Sequence, residues 1–161
     1  MDPGFTHENM PQLLLKARER MLRHFRPIIT SVGLTEQQWR ILRTLHERGQ
    51  LEPRELCDVC QIQSSSMAGV LTRMEEKELI TRSPVPGDLR RVWVSMTPRG
   101  QRIVHHIAPL IEAQYEHLKD ALGHGLIGEI YERLNTLIER ENSVTVHAVP
   151  LNDLPKTDAL Y

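Results

Sequence analysis

Apolar residues recur every three or four positions through most of this chain, a spacing typical of amphipathic helices. The first run predicts a helix over 10–32, kinked or loosened at Pro27, because proline has no backbone N–H to donate. The second run predicts a helix over 35–48, opened by a threonine and a glutamine in capping-box spacing. A short third helix is predicted over 53–60.

Three more helical or loop segments follow. Residues 61–66, rich in Ser and Gln, lead into a fourth predicted helix that runs to about Lys77. Thr97 and Pro98 are typical of the N-cap and first position of a long helix that continues to Leu122. Glycines then mark a break before a last helix. In residues 143–161 the apolar positions follow no helical or strand periodicity, as is typical of a tail or a partner-bound arm.

Between the fourth and fifth helices the apolar period falls to two. Alternation of apolar and polar residues over 92–96 predicts a half-buried strand, for which residues 81–83 can supply the partner. Residues 84–87 hold two prolines and a glycine, which predict a turn. The chain is therefore expected to be mainly α-helical with one small β-hairpin.

The tip of this hairpin carries Asp88, Arg90 and Arg91. A hairpin tip is solvated, so these side chains do not fill a core. Asp88 and Arg90 can face the same side, which would let the carboxylate hold the guanidinium extended. An extended arginine on a narrow ribbon suits the DNA minor groove, whose negative potential attracts it. The alternative is an ordinary surface turn with a solvated ion pair.

A short helix, a tight connection, a second helix and a hairpin together predict a winged helix-turn-helix, whose second helix enters the major groove. Opposite its predicted buried face, this helix presents small, polar or basic residues, which let the backbone lie deep in the groove. The predicted DNA-contacting residues before the hairpin are Gln63, Ser64, Ser65, Ser66, Gly69, Thr72 and Arg73. The alternative is a Ser-rich loop capping an ordinary amphipathic helix.

Charge is distributed unevenly over the 161 residues, although the net charge is only −1. Residues 10–48 carry eight Lys or Arg against three acids (+5), and residues 61–102 carry seven against four (+3). Residues 103–161 carry four against nine (−5). Because local charge binds phosphate, the basic segments favour a nucleic-acid partner. No apolar run of membrane-spanning length and no signal peptide are visible, so we expect a cytoplasmic protein without a membrane partner.

Asp88-x-Arg90-Arg91, followed by Met96-Thr97, resembles the wing signature of the MarR family of transcriptional regulators, and the resemblance extends over about 10–142. Four segments resemble more narrowly the subgroup that represses homoprotocatechuate degradation, to which repressors of nicotinate catabolism are similar. These segments are Lys16–Glu19, Phe25–Ile28, Leu34–Ile41 and Gly69–Glu75. The subgroup controls genes for degrading aromatic acids.

The resemblance implies a homodimeric repressor, not an enzyme, that binds a pseudo-palindromic operator in double-stranded DNA. It implies that Arg90 enters the minor groove, that Asp88 orients it and that Arg91 meets phosphate. The implied domains are a cloning remnant or disordered leader, dimerisation helices, a winged helix-turn-helix and a tail. Their expected ranges are 1–9 for the leader, 10–33 and 97–142 for the dimerisation helices, 34–96 for the winged helix-turn-helix and 143–161 for the tail.

An effector site is expected from Arg18, Phe25, Trp39, Arg40 and His46. Arginine beside aromatic side chains suits a small aromatic carboxylate, because it can anchor the acid while the rings form a flat apolar wall. We therefore expect such an acid to release the repressor from its operator, with no cofactor or metal. The alternative is that both arginines make structural ion pairs between helices.

Two further interpretations stay open. Cys57 and Cys60 form a C-x-x-C pair, which suits either a thiol-redox switch or two small hydrophobic core residues. The winged helix could also dock a protein in place of DNA, although the arginine tip disfavours this. None of the eight histidines shows tight metal-ligand spacing, and no nucleophile elbow or phosphate loop is present.

Overall fold

The computed structural model describes residues 4–146, which form seven helices and one two-stranded antiparallel sheet. The predicted fold class is therefore confirmed. The elements are α1 (Met10–Leu22), α2 (Arg26–Ser31), α3 (Glu36–Arg48), α4 (Pro53–Cys60), α5 (Ser64–Glu76), β1 (Ile80–Val85), β2 (Asp88–Met96), α6 (Pro98–Leu122) and α7 (His124–Glu141).

The single first helix predicted over 10–32 is wrong, because the structure has two helices there. α1 ends at Leu22, and α2 begins at Arg26 with Pro27 in its first turn. A proline inside a continuous helix would remove one backbone hydrogen bond and clash with the carbonyl four residues earlier. In the first turn of a new helix neither cost arises, because that N–H has no intrahelical partner.

The other helix predictions agree with the structure, apart from small shifts at their ends. The capping box of α3 is formed: Gln38 N donates to Thr35 Oγ1 at 3.3 Å, and Thr35 N donates to Gln38 Oε1 at 3.0 Å. Gly49 ends this helix with a φ of +79°, which glycine adopts without strain. α5 begins at Ser64, so the predicted Ser/Gln loop is shorter than expected and its serines form the first helical turn.

The hairpin, which we call the wing, pairs β1 with β2 from Ile80↔Met96 to Pro84↔Val92, after which the register shifts. Pro84 therefore lies inside β1 and not in the predicted turn. Leu51 adds one bridge to β2: its N donates to Val94 O at 3.1 Å, and Val94 N donates to Leu51 O at 2.8 Å. Val94 is fully buried, so this bridge ties the wing to the segment before α4.

The chain divides into two compact units. The first reaches to His117 and holds α1 to α5, the wing and most of α6. Its core includes Ile41, Leu42, Leu56, Met74 and Ile107, each with no exposed surface. In the described residues no helix is long and apolar enough to span a bilayer.

The second unit begins at Leu118 and holds the end of α6 and α7. α7 exposes six large apolar residues: Leu126, Ile130, Tyr131, Leu134, Leu137 and Ile138. In the first unit, α1 likewise exposes Met10, Leu13, Leu14 and Leu15. The predicted tail lies outside the described residues from position 147 onward, as do residues 1–3 of the predicted leader.

Candidate nucleic-acid interface and effector cavity

The exposed face of α5 has the composition expected of a helix that enters the major groove. Met67, Val70, Leu71 and Met74 are buried. The opposite side exposes the predicted small, polar and basic residues Ser65, Ala68, Gly69, Thr72 and Arg73, and Gln63, Ser64 and Ser66 at the helix start are also exposed. The structure therefore places the predicted residues of this helix together on one solvent-facing surface.

The connection between α4 and α5 is a tight turn held by Arg40. Gln61 adopts a left-handed conformation with a φ of +51°, and Ile62 after it is buried. Arg40 Nη1 donates to the carbonyl oxygen of Cys60 at 2.5 Å, so this guanidinium satisfies a carbonyl at the end of α4. Arg40 thereby links α3 to the turn that precedes α5.

At the tip of the wing, the Asp88 carboxylate accepts a hydrogen bond from the backbone N–H of Arg90 at 3.0 Å. The expected contact with the guanidinium is therefore not the one formed. Asp88 and Arg90 are two apart, which places the Arg90 N–H within reach of a short aspartate side chain. Across residues 4–146, no carboxylate pairs with the Arg90 guanidinium, which extends into solvent.

Two arginines of the wing do have carboxylate partners. Arg82 on β1 donates from Nε to Glu75 Oε2 at 2.9 Å, and Glu75 Oε1 accepts from the Arg82 backbone N–H at 3.2 Å. Arg91 on β2 pairs with Glu52, which immediately precedes α4. Hydrogen bonds from these arginines lower the pKa of Glu75 and of Glu52. The wing is thus fastened to both helices of the helix-turn-helix.

The predicted effector residues do not form a single site. Arg18 is exposed and pairs with Glu36 and Glu19. Arg40 lies 3.9 Å from the same Glu36, besides its contact with the end of α4. For both arginines the structure therefore favours the structural ion-pair alternative. Phe25 is buried against Tyr115, with ring centroids 4.6 Å apart.

A cavity of about 160 Å³ does lie between α3 and α6, and it includes two of the predicted residues, Trp39 and His46. Its remaining lining residues are Arg43, Glu47, Val104, Ala108, Ile111 and Glu112. The arginine of this cavity is therefore Arg43, which was missed. One helical turn separates Trp39 from Arg43, so the spacing could have indicated it.

Arg43 is held in place by polar and aromatic neighbours. Its Nε donates to Glu47 Oε1 at 2.8 Å, and its guanidinium carbon lies 6.0 Å from the centre of the Tyr115 ring. Partial burial works against the charged form, but the contacts with Glu47 and Tyr115 outweigh it and raise the pKa of Arg43. A permanently charged guanidinium thus stands beside the indole of Trp39 and the phenol of Tyr115.

Of the two cysteines, Cys60 shows no feature of an activated thiol. Cys60 is buried, its Sγ lies 3.4 Å from Thr44 Oγ1, and burial raises its pKa. Reactive thiols have lowered pKa values, so Cys60 fits the small-hydrophobe alternative better. No cluster of three or more His, Cys, Asp or Glu side chains suited to a metal ion occurs within residues 4–146.

A helix-turn-helix whose second helix exposes small and basic residues, followed by an arginine-tipped wing, defines the winged-helix class of DNA-binding proteins. Residues 34–92 match the model of the MarR family. The chain is 36% identical over 110 residues to the HTH-type transcriptional regulator FarR of Neisseria gonorrhoeae, covering 68% of this chain and 75% of FarR. The chain belongs to the MarR family and is a DNA-binding transcriptional regulator.

Two further similarities concern aromatic acids. The chain is 36% identical over 113 residues to the homoprotocatechuate degradative operon repressor of Escherichia coli, covering 70% of this chain and 76% of that repressor. The crystal structure of NadR in complex with 4-hydroxyphenylacetate superposes with a TM-score of 0.78 at 29% identity, covering 85% of this chain and 100% of NadR. The first relative is named for a homoprotocatechuate degradative operon, and the second was solved with 4-hydroxyphenylacetate.

Proposed function

We propose that this protein is a homodimeric repressor of an aromatic-acid catabolic operon, of the homoprotocatechuate or nicotinate type, and that a small aromatic carboxylate releases it from its operator. The cavity beside Trp39 and Arg43 carries the effector part of this proposal. The exposed face of α5 and the free Arg90 guanidinium carry the DNA-binding part.

In the proposed complex α5 lies in the major groove and the wing enters the adjacent minor groove. Ser65, Gly69, Thr72 and Arg73 then face base edges, and Gln63 with the serines at the start of α5 meets phosphate through side chains and backbone N–H groups. No carboxylate in residues 4–146 pairs with Arg73, so its charge is available to DNA. Arg90 is proposed to enter the minor groove.

Dimerisation is proposed through the predicted helices 10–33 and 97–142. The exposed apolar residues of α1, and separately those of α7, support this, because large apolar side chains clustered on an exposed helix mark an interaction site. A two-fold dimer presents two copies of α5 and of the wing. It would read a pseudo-palindrome with half-sites about 10 bp apart from centre to centre.

The effector is proposed to bind with its ring against Trp39 and its carboxylate on Arg43. The guanidinium offers a planar pair of donors that matches a carboxylate, and the cavity is wide enough for part of a single ring. Glu47 now occupies one donor edge of Arg43, so the acid would displace Glu47 or share Arg43 with it. Because α3 also packs on α4 and α5, a shift of α3 would reach the DNA-binding helix.

The test starts from a duplex that the wild-type protein selects from a random pool. Binding of this duplex is followed by fluorescence anisotropy at several salt concentrations, with and without 4-hydroxyphenylacetate. We expect steep weakening with salt, because phosphate contacts release counterions. We also expect release by the acid but not by 4-hydroxyphenylacetamide, its uncharged amide. Release by both compounds, or by neither, would contradict the proposed role of Arg43 as a carboxylate anchor.

A further inference from the structure

Arg90 and Arg91 are neighbours on β2, but only Arg91 has a carboxylate partner among the described residues. The Arg90 guanidinium has no carboxylate partner within the described part of the chain. Arg91 instead directs two donors at one oxygen of Glu52: Nε lies 3.0 Å from Oε1, and Nη2 also contacts it. The Glu52 side chain is 21% exposed and the Arg91 side chain 51%, so the carboxylate is the more enclosed member of the pair.

The backbone on either side of Glu52 is fixed. Leu51 forms the bridge with Val94 of β2 through two hydrogen bonds. Glu52 itself donates its N–H to Glu55 Oε2 at 2.7 Å, which attaches it to the first turn of α4. These hydrogen bonds restrict the position of the Glu52 backbone, and therefore that of its carboxylate. Arg91 of β2 can be held against this carboxylate.

The surroundings of Arg91 are acidic. Besides Glu52, the carboxylates of Asp88 and Glu55 also act on Arg91, and all three favour its charged form. A DNA phosphate that approached this guanidinium would meet the repulsion of these carboxylates as well as the attraction of one cation.

We infer that Glu52 is a positioning residue for the wing, and that Arg91 anchors β2 to the start of α4 instead of contacting phosphate. This inference rests on the proposed entry of the wing into the minor groove. It changes the role that the resemblance implies for Arg91 and assigns a role to Glu52, which the sequence did not single out. Glu52–Arg91 on β2 and Glu75–Arg82 on β1 then hold the two strands of the wing independently.

The experiment is a double-variant cycle on the full chain, with the selected duplex as the probe. An anchor predicts that Glu52→Ala and Arg91→Ala each weaken binding by about two- to five-fold, the range expected of an exposed ion pair. The double variant should bind no more weakly than either single variant. The slope of log affinity against log salt should equal that of the wild type in all three. Glu52→Gln should lose less than Glu52→Ala, because its amide oxygen still accepts from the guanidinium.

Arg90→Ala is the matched control, since it removes the same charge from the next position. It should lower the salt slope by about 0.9 for each phosphate that the variant no longer neutralises. Cleavage after Arg90 by trypsin in the free protein gives a readout that needs no DNA, and it should be faster in Glu52→Ala than in the wild type. If a variant does not fold, Arg91→Met in its place tests the same pair.

The inference is overturned if Glu52→Ala binds as tightly as the wild type or more tightly, while Arg91→Ala weakens binding and reduces the salt slope. That pattern identifies Arg91 as a phosphate ligand for which Glu52 competes. The proposed function fails in a different way, because Arg90→Ala would then leave both affinity and salt slope unchanged. Trypsin cleavage still distinguishes an anchored wing from a free one in that case.

Discussion

Replacing Arg90 by alanine is the most direct test of how this regulator holds DNA. In the free protein the Arg90 guanidinium has no carboxylate partner among residues 4–146, and its backbone N–H, which alanine keeps, makes the hydrogen bond to Asp88. Loss of an exposed side chain without partners changes the free energy of unfolding by within about 0.5 kcal/mol. The thermal midpoint of Arg90→Ala should therefore stay close to that of the wild type.

The cost should appear in DNA binding instead. A hydrogen bond to a charged group contributes about 1.5–3 kcal/mol, which corresponds to a loss of roughly 10- to 150-fold for each wing. With two wings on a two-fold operator, the salt slope should fall by about 1.8, if each Arg90 neutralises one phosphate in the wild-type complex. Anisotropy titrations of the selected duplex at four or more salt concentrations measure both quantities.

Arg102→Ala provides the control, because it removes an exposed arginine from α6 and leaves the wing intact. It should change affinity only slightly. Tight binding by Arg90→Ala with an unaltered salt slope would refute a groove-inserted wing. A fall of several degrees in its thermal midpoint would show instead that Arg90 has a structural role.

Three other predictions concern the cavity proposed to bind the effector, the core and an ion pair. Arg43→Ala should abolish the thermal shift produced by 4-hydroxyphenylacetate, whereas Arg48→Ala on the same helix should preserve it. In Gly100→Ala the new Cβ would lie 2.4 Å from Leu79 O, so we expect a loss of about 1–3 kcal/mol in chemical denaturation; Gly125→Ala, with no atom within 4 Å of its Cβ, should lose nothing. Arg82 lowers the pKa of Glu75 from 4.5, so this pair stabilises the fold above that pH and its contribution is lost as the pH falls further. The difference in unfolding free energy between the wild type and Glu75→Gln should accordingly vanish in acid, and a difference that persists there would contradict the ion-pair origin.

Local patterns were sufficient to predict the helix-turn-helix. The Thr35–Gln38 capping box, the Pro98 start of α6 and the alternation over 92–96 each depend on residues only a few positions apart. The same is true of the buried face of α5. The break between α1 and α2 could not be placed by periodicity, because the apolar spacing continues across it and only the backbone of Pro27 forbids a continuous helix.

The cavity between α3 and α6 was harder to predict, because its residues meet only in three dimensions. Arg43 on α3 approaches Tyr115 on α6, and Phe25 packs on the same ring from the start of α2. Helical spacing shows which residues of one helix share a face, but not which face of α6 they meet. Trp39 and His46 do line the cavity side of α3, whereas Arg18 and Arg40 turn to Glu36.

Charge counted along the chain was the least reliable guide to the DNA-binding surface. The first basic segment, 10–48, has a net charge of +5, yet several of its arginines are held by carboxylates of the same segment. Arg18, Arg26 and Arg40 surround Glu36, and Arg43 pairs with Glu47. Such arginines fasten helices together and keep only part of their attraction for phosphate. The cations available to DNA are therefore better identified by the absence of a nearby carboxylate than by their number. Within the described residues, Arg73 and Arg90 are exposed and have no carboxylate partner, and we therefore expect both to contact the operator.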